Sequence, residues 1–101
     1  MGIPEEKLNK LFKALADTTR RRIIDELMLR NNQSLFEIYA RLISKYQIGH
    51  TRQAFSRHLS TLEGAEIIKV EWKGNTKLHS LDTSQLRALS GGWFNKFVEE
   101  E

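Results

Sequence analysis

Between residues 51 and 62 the chain carries side chains that could hydrogen-bond to the edges of nucleic-acid bases. Phe55, Leu59 and Leu62 recur at i, i+4 and i+7, which is the spacing of a helix face packed on a core. The candidate contact residues are Thr51, Arg52, Gln53, Ser56, Arg57, His58 and Ser60. Arginine can form two coplanar hydrogen bonds with guanine, and glutamine can do so with adenine. This segment therefore predicts a two-faced helix suited to a nucleic-acid groove.

The polar face has no acidic neighbour along the chain. No carboxylate occurs between Glu37 and Glu63, and residues 38–81 hold seven Lys or Arg against three acids, whereas the whole chain nets +3. A polyanion would meet attraction there without local repulsion. Charge alone is equally compatible with a solvated basic surface.

Five polar residues keep alternatives open. Arg52 and Gln53 reach a base only if the helix begins beside Thr51, and helix ends vary by a residue or two. His58 lies between the polar and the apolar face, so a phosphate contact and a structural hydrogen bond are both possible. For Ser56 and Arg57 the simpler alternative is an exposed helix face.

Apolar periodicity and capping residues define the elements that must position this helix. Helices are predicted over residues 5–16, 18–30, 34–44 and 51–64, with a turn at 45–50 before the last of them. Asp17 and Thr51 are the expected N-caps, and Ser34 with Glu37 forms a capping box.

A basic hairpin and a final helix complete the pattern. Strands are predicted at residues 67–72 and 78–81, with Gly74 at the first central position of the turn. A last helix begins at Asp82 or Thr83, and the Gly91-Gly92 pair predicts a kink before Trp93.

These elements are the parts of a winged helix-turn-helix, a mainly α fold with a small β-hairpin wing in the order α-α-α-α-β-β-α. The fourth helix enters the major groove in that arrangement, and the hairpin tip lies along the neighbouring backbone. Lys73, Asn75 and Lys77 are the candidate contacts at the tip, although lysines at turns are common on any surface. Residues 1–101 are predicted to form one domain.

Several landmarks resemble the ArsR-type winged-helix transcriptional regulators. They are Ala14 to Ile24 (ALADTTRRRII), Ser56-Arg57-His58-Leu59 with Leu62, Lys73-Gly74-Asn75 and Leu81-Asp82. They occur in the family's order and spacing over roughly residues 8–90. The resemblance implies a homodimeric DNA-binding repressor with dimer contacts from the first and last helices. Thr18 stands where the family often has proline, and the loop at 44–50 is longer than the family's usual turn.

Many members of that family sense metals, through cysteines on the third helix or through carboxylates and histidines on the last. This chain has no cysteine, and its last helix has no histidine. His50, His58 and His79 are scattered, which is more typical of surface or packing histidines than of a metal site. We expect no metal site and no cofactor.

The first and last helices carry more apolar area than such short elements can leave exposed to water. The residues expected at a two-fold interface are Leu8, Leu11, Phe12, Leu86, Leu89, Trp93, Phe94 and Phe97. Trp93, Phe94 and Phe97 could instead fold back on the core.

Catalysis is not expected, because Ser56 and His58 are two positions apart and face about 200° away from each other on a helix. No apolar run reaches the roughly 18 residues of a membrane span. The sequence thus predicts a cytoplasmic, homodimeric regulator that binds an inverted-repeat operator in double-stranded DNA. The alternative is a winged-helix module for architectural DNA binding or for protein or RNA interaction.

Overall fold

The computed structural model describes residues 2–98, so residues 1 and 99–101 of the predicted domain lie outside it. The elements are α1 (Glu5–Leu15), α2 (Thr18–Leu29), α3 (Leu35–Tyr46), α4 (Arg52–Gly64), β1 (Ile68–Lys73), β2 (Thr76–Leu81), α5 (Ser84–Gly91) and α6 (Asn95–Val98). This order confirms the predicted winged helix-turn-helix. None of the helices within the described residues has the length and apolarity needed to span a membrane.

Side-chain caps fix the starts of three helices where the sequence predicted them. The Asp17 carboxylate accepts a hydrogen bond from the Arg20 backbone N–H at 3.0 Å, and Thr51 Oγ1 accepts one from the Ala54 N–H at 3.1 Å. Ser34 and Glu37 form the full capping box, because each side chain accepts from the other residue's backbone N–H. These bonds satisfy N–H groups that a helix end otherwise leaves unpaired.

The third helix runs two residues further than predicted. Tyr46 is half-buried against the core, and the Arg22 guanidinium lies 4.0 Å from its ring centre, so the contact holds the last turn in place. Gln47 then ends the helix in the left-handed region, with φ of 55°. The loop that follows is anchored to α3, since the Tyr39 hydroxyl donates to the His50 carbonyl at 2.8 Å.

The hairpin of β1 and β2 is the wing, and it pairs in antiparallel register from Ile68 with Leu81 to Lys73 with Thr76. Gly74 occupies the first position of its two-residue loop with φ of 62°, a conformation that suits glycine. Gln33, just ahead of α3, adds a single antiparallel bridge to His79 of β2. The wing is therefore bonded to the start of the helix-turn-helix.

One hydrophobic core joins the helices to the wing. Its buried side chains come from α1 to α5 and from β1, and they include the predicted stripe of α4 (Phe55, Leu59 and Leu62). Because that stripe is fixed in the core, the opposite face of α4 is turned to solvent.

The last helix differs from its prediction. The chain breaks after Gly91 into a turn and the short α6. Gly92 leaves helical geometry with φ of -103° and ψ of -111°, and glycine suits this position because a Cβ there would lie 2.9 Å from the Ala88 carbonyl oxygen. Their spacing would place Leu86, Leu89, Trp93 and Phe97 on one stripe of an unbroken helix, but here they are divided between α5, the turn and α6. At the start of α5, the Asp82 carboxylate accepts from the Ser84 hydroxyl and N–H, which lowers the pKa of Asp82.

Candidate nucleic-acid interface

The polar face of α4 is exposed as the sequence predicted. Arg52, Gln53, Ser56, Arg57 and Ser60 are all exposed, while the intervening apolar residues are buried. Thr51 is exposed as well, although its Oγ1 is used as the N-cap acceptor. The cap makes Arg52 the first helical residue, so Arg52 and Gln53 lie in the turn that usually approaches base edges.

His58 lies on a different side of α4 from this face. Its side chain is 15% exposed, and its Nδ1 atom lies 3.0 Å from Nη1 of Arg20 and 4.0 Å from an Asp17 carboxylate oxygen. Arginine only donates, so His58 Nδ1 accepts and the neutral ring carries its proton on Nε2. Burial lowers the pKa of His58, and the opposing charge of Asp17 does not reverse this. Of the two roles left open for His58, the geometry favours the structural one.

The three consecutive arginines of α2 also have structural partners. Arg20 donates to the carbonyls of Ala14 and Lys13 at 2.7 and 2.9 Å, and Arg21 donates to the Leu15 carbonyl. These bonds reach carbonyls in the last turn of α1, where the regular helical N–H donors run out. Arg22 stacks on Tyr46. Among the described residues none of the three arginines forms an ion pair with a carboxylate.

The wing tip presents two exposed polar residues and one tethered lysine. Lys73 and Asn75 are exposed, as predicted. Lys77 is half-buried, and its Nζ lies 3.4 Å from a Glu63 carboxylate oxygen at the far end of α4. This ion pair links the wing to α4 and reduces the positive charge that Lys77 offers to a phosphate.

A groove of about 400 Å³ separates α4 from the wing tip. Arg52, Ser56 and Ser60 line one wall, and Asn75 and Lys77 line the other. The acids nearest this groove are already engaged, since Glu63 pairs with Lys77 and Glu37 closes the capping box. The Ser34 N–H holds the pKa of Glu37 below its ordinary value. The groove therefore combines exposed hydrogen-bond donors of α4 with the paired carboxylate of Glu63.

Sequence reasoning missed a buried polar network that supports the wing. Gln33 donates to the carboxylate of Glu26 at 3.0 Å and accepts from Arg41. His79 Nδ1 donates to the Gln33 carbonyl at 2.9 Å, and burial lowers the pKa of His79. The residues involved lie on α2, α3 and β2, so no local spacing could have indicated the network.

Phe36 also lines the groove, and this position was not predicted from the sequence. The only signal in the sequence was an apolar residue in the first turn of a helix.

The aromatic residues of α1 and the C-terminal turn form an exposed cluster. Phe12 packs edge-on against Trp93 and Phe94 with ring centres 5.9 and 6.0 Å apart, and Phe97 packs on Trp93 at 4.9 Å. Trp93, Phe94 and Phe97 nevertheless keep 46%, 41% and 55% of their surface exposed. The rings thus fold back on Phe12, which was the alternative to an interface position, and they still leave apolar area uncovered.

Two residues predicted for the dimer interface are not available to a partner. Leu11 and Leu89 are 1% and 4% exposed and belong to the core of the chain itself. The helical spacing could not separate the core-facing side of α1 and α5 from the side next to it. Leu8, Phe12 and Leu86 are only partly buried and remain at the surface.

The arrangement of the His, Asp and Glu side chains decides whether the described residues can hold a metal ion. Within residues 2–98 no group of three or more His, Cys, Asp or Glu side chains is arranged to hold a metal ion. The rings of His50 and His58 lie 5.4 Å apart, centre to centre, but Arg20 is the hydrogen-bond partner of His58.

Comparison with known proteins gives a consistent result. The chain is 45% identical over 83 residues to the HTH-type transcriptional regulator YuzN of Bacillus subtilis, covering 82% of this chain and 90% of that protein. It is 34% identical over 94 residues to the transcriptional repressor SdpR of the same organism, covering 92% and 94%. No protein-family model matches the chain.

Solved structures share the fold. The structure of an ArsR family transcriptional regulator superposes with a TM-score of 0.80 at 24% identity, covering 98% of this chain and 94% of that one. A homodimeric winged helix-turn-helix DNA-binding domain from Mycobacterium bovis superposes with a TM-score of 0.67 at 18% identity, covering 95% and 85%.

Proposed function

The chain belongs to the ArsR-type winged helix-turn-helix transcriptional regulators, and from this premise we propose that it binds an operator in double-stranded DNA as a homodimer and represses transcription. The proposed mechanism is occlusion of a promoter in the cytoplasm. The observation that carries the proposal is the exposed, acid-free face of α4 beside the groove to the wing.

In this proposal α4 is the recognition helix and lies in the major groove. Arg52, Gln53, Ser56 and Arg57 contact base edges, because their donors match the acceptors that guanine and adenine present there. Thr51 and Ser60, at either end of the face, contact the sugar-phosphate backbone, as do Lys73, Asn75 and Lys77 of the wing.

The partly exposed aromatic surface supports the homodimer. Phe12, Trp93, Phe94 and Phe97 join α1 to the C-terminal turn, with Leu8 and Leu86 beside them, and a two-fold partner would cover the rings that this chain leaves exposed. The Mycobacterium bovis domain of the same fold is described as homodimeric. Two-fold symmetry then requires an inverted-repeat operator with half-sites about one helical turn apart.

We further propose that the protein represses transcription without sensing a metal ion. The relative SdpR is described as a repressor. The described part of this chain lacks a side-chain cluster suited to a metal, so we propose that no metal ion controls DNA binding here.

Selection of bound duplexes from a random pool tests the proposal. The full chain should enrich a symmetric consensus, and Arg57→Ala should enrich a consensus relaxed at one base pair in each half-site. Arg87→Ala is the matched control, because Arg87 is also an exposed arginine but lies on α5 and not on the polar face of α4. Failure of the wild type to enrich any sequence would favour an architectural or protein-binding module instead.

A further inference from the structure

The ring of Phe36 is exposed at the edge of the groove, in the first turn of α3. It is the second residue of that helix and keeps 62% of its surface exposed. The capping box of Ser34 and Glu37 fixes the backbone of this turn, so the ring is presented from a rigid position. Burial in the core therefore does not explain a large apolar side chain at this place.

Phe36 faces the same space as the residues proposed to contact bases. It lines the groove together with Arg52 and Ser56 of α4. The Arg52 guanidinium carbon lies 5.8 Å from the centre of the Phe36 ring, within the range of a cation–π contact. A duplex held against the first turn of α4 would meet this ring as well.

Thymine offers the apolar group that fits such a ring. Its C5-methyl group projects into the major groove, and phenylalanine is one of the side chains that contact it. Arg52, Gln53, Ser56 and Arg57 satisfy hydrogen-bonding groups but give a methyl group little apolar surface. A phosphate is a poorer partner for the ring, because the face of an aromatic ring carries negative charge density.

We propose that Phe36 contacts the C5-methyl group of a thymine in each half-site, beside the base pair contacted by the first turn of α4. Phe36 is then a specificity-determining residue outside the recognition helix. This inference rests on the proposed function and deepens it by assigning an apolar contact to a site otherwise made of polar groups.

Replacing thymine with deoxyuracil tests the contact, because uracil lacks only the methyl group. The probe is the consensus duplex selected from the random pool, with each thymine of a half-site replaced in turn. Wild-type protein should lose about fourfold in affinity at one thymine, the loss expected for one buried methyl group. Phe36→Ala should bind the thymine and uracil duplexes equally at that position. Met28→Ala, which removes a side chain that is 71% exposed and lies outside the groove, should respond as the wild type does.

Each other outcome counts against the contact. The contact is overturned if Phe36→Ala shows the same loss of affinity on deoxyuracil replacement as the wild type, or if the selected half-site contains no thymine. Sequence-specific binding would remain intact in both cases. Loss of guanine discrimination with the uracil effect retained would make Phe36 a positioning residue for Arg52. Absence of any sequence preference in the wild type overturns both this inference and the proposed function. Circular dichroism and thermal unfolding of Phe36→Ala should match the wild type, because the ring is exposed.

Discussion

The Nδ1 atom of His58 lies 3.0 Å from the Nη1 atom of Arg20, which joins α4 to α2 across 38 positions of the chain. Arg20 also donates to the carbonyls of Lys13 and Ala14, so one guanidinium contacts both the end of α1 and α4. The carboxylate of Asp17 caps α2 and lies 4.0 Å from the same His58 atom. The orientation of α4 thus depends on side chains at the junction of α1 and α2 as well as on the core.

Removal of the Arg20 side chain should destabilise the fold more than removal of its neighbour. Arg20→Ala loses three hydrogen bonds from a partly buried guanidinium, and we expect a decrease of about 2 to 3 kcal/mol in the free energy of unfolding. Arg21→Ala loses one exposed bond and should cost about 1 kcal/mol or less. Urea denaturation measures both. Equal losses in the two variants would show that the Arg20 bonds add nothing particular to stability.

Stability should fall as the pH drops below the ordinary histidine pKa of 6.5. Burial lowers the pKa of His58 and of His79 in the folded chain, so the unfolded chain binds more protons over the range below 6.5. This contribution is complete above pH 6.5, and it is lost progressively until the folded-state pKa values are reached. Urea midpoints measured at intervals from neutral pH down to pH 5 should show the decline.

His58→Gln separates one histidine from the other. Glutamine can accept from Arg20 but does not titrate, so this variant should lose part of the decline with pH and keep the part due to His79. A decline equal to that of the wild type would remove His58 from the explanation.

Asp17 affects stability at a lower pH than the histidines do. Burial alone would raise the pKa of Asp17, but the Arg20 N–H and the neighbouring positive charges lower it. The stability from Asp17 is therefore present above pH 3.8 and lost as the pH falls through its folded-state pKa.

Arg57 should carry base specificity. Arg57→Ala removes an exposed side chain from the middle of the acid-free face, and we expect a loss of about 1 to 3 kcal/mol in operator binding, concentrated on one base pair of each half-site. Fluorescence anisotropy against the consensus and its single-base variants measures this, with Arg87→Ala as the control. A uniform loss across all duplexes would indicate a phosphate contact instead.

The ion pair between Lys77 and Glu63 should tune the salt dependence of DNA binding. Lys77→Ala should flatten the plot of log K against log salt by about one unit if this lysine neutralises one phosphate. Glu63→Gln should act in the opposite direction, because it frees Lys77 and removes a negative charge from the groove. Titration from low to physiological salt compares the slopes. Identical slopes in all three proteins would exclude Lys77 as a DNA contact.

The exposed aromatic cluster should hold the dimer together. Phe97→Glu places a charge on a ring that is 55% exposed, so the fold should survive while the partner can no longer bury that surface. Gel filtration at micromolar concentration should show a monomer, and operator affinity should fall with the loss of the second half-site. Met28→Glu changes a residue that is more exposed and lies outside the cluster, so it should stay dimeric. A dimeric Phe97→Glu protein would move the interface elsewhere.

Local rules explain why much of the architecture could be predicted. A helix cap involves residues three positions apart, so Asp17, Ser34 with Glu37, and Thr51 are visible in the sequence, and each forms its predicted bond. The stripe of α4 is a repeat of about four residues, and its burial leaves the polar face exposed. The break at Gly92 was predicted only as a kink, because a glycine pair indicates weak helix propensity but not the backbone angles that the chain adopts there.

Local patterns along the chain were enough to predict the helices up to α5, the two strands and their order. They also predicted the chemical character of the face that α4 presents. Only the three-dimensional fold shows which polar side chains already have a partner within the protein. His58 and Lys77 have the same side chains whether they contact DNA or the protein, and only the fold brings Arg20 to one and Glu63 to the other. It also buried Leu11 and Leu89 and placed Phe36 in the groove. Hydrogen bonds and burial between distant segments depend on three-dimensional distance, which periodicity along a chain does not encode.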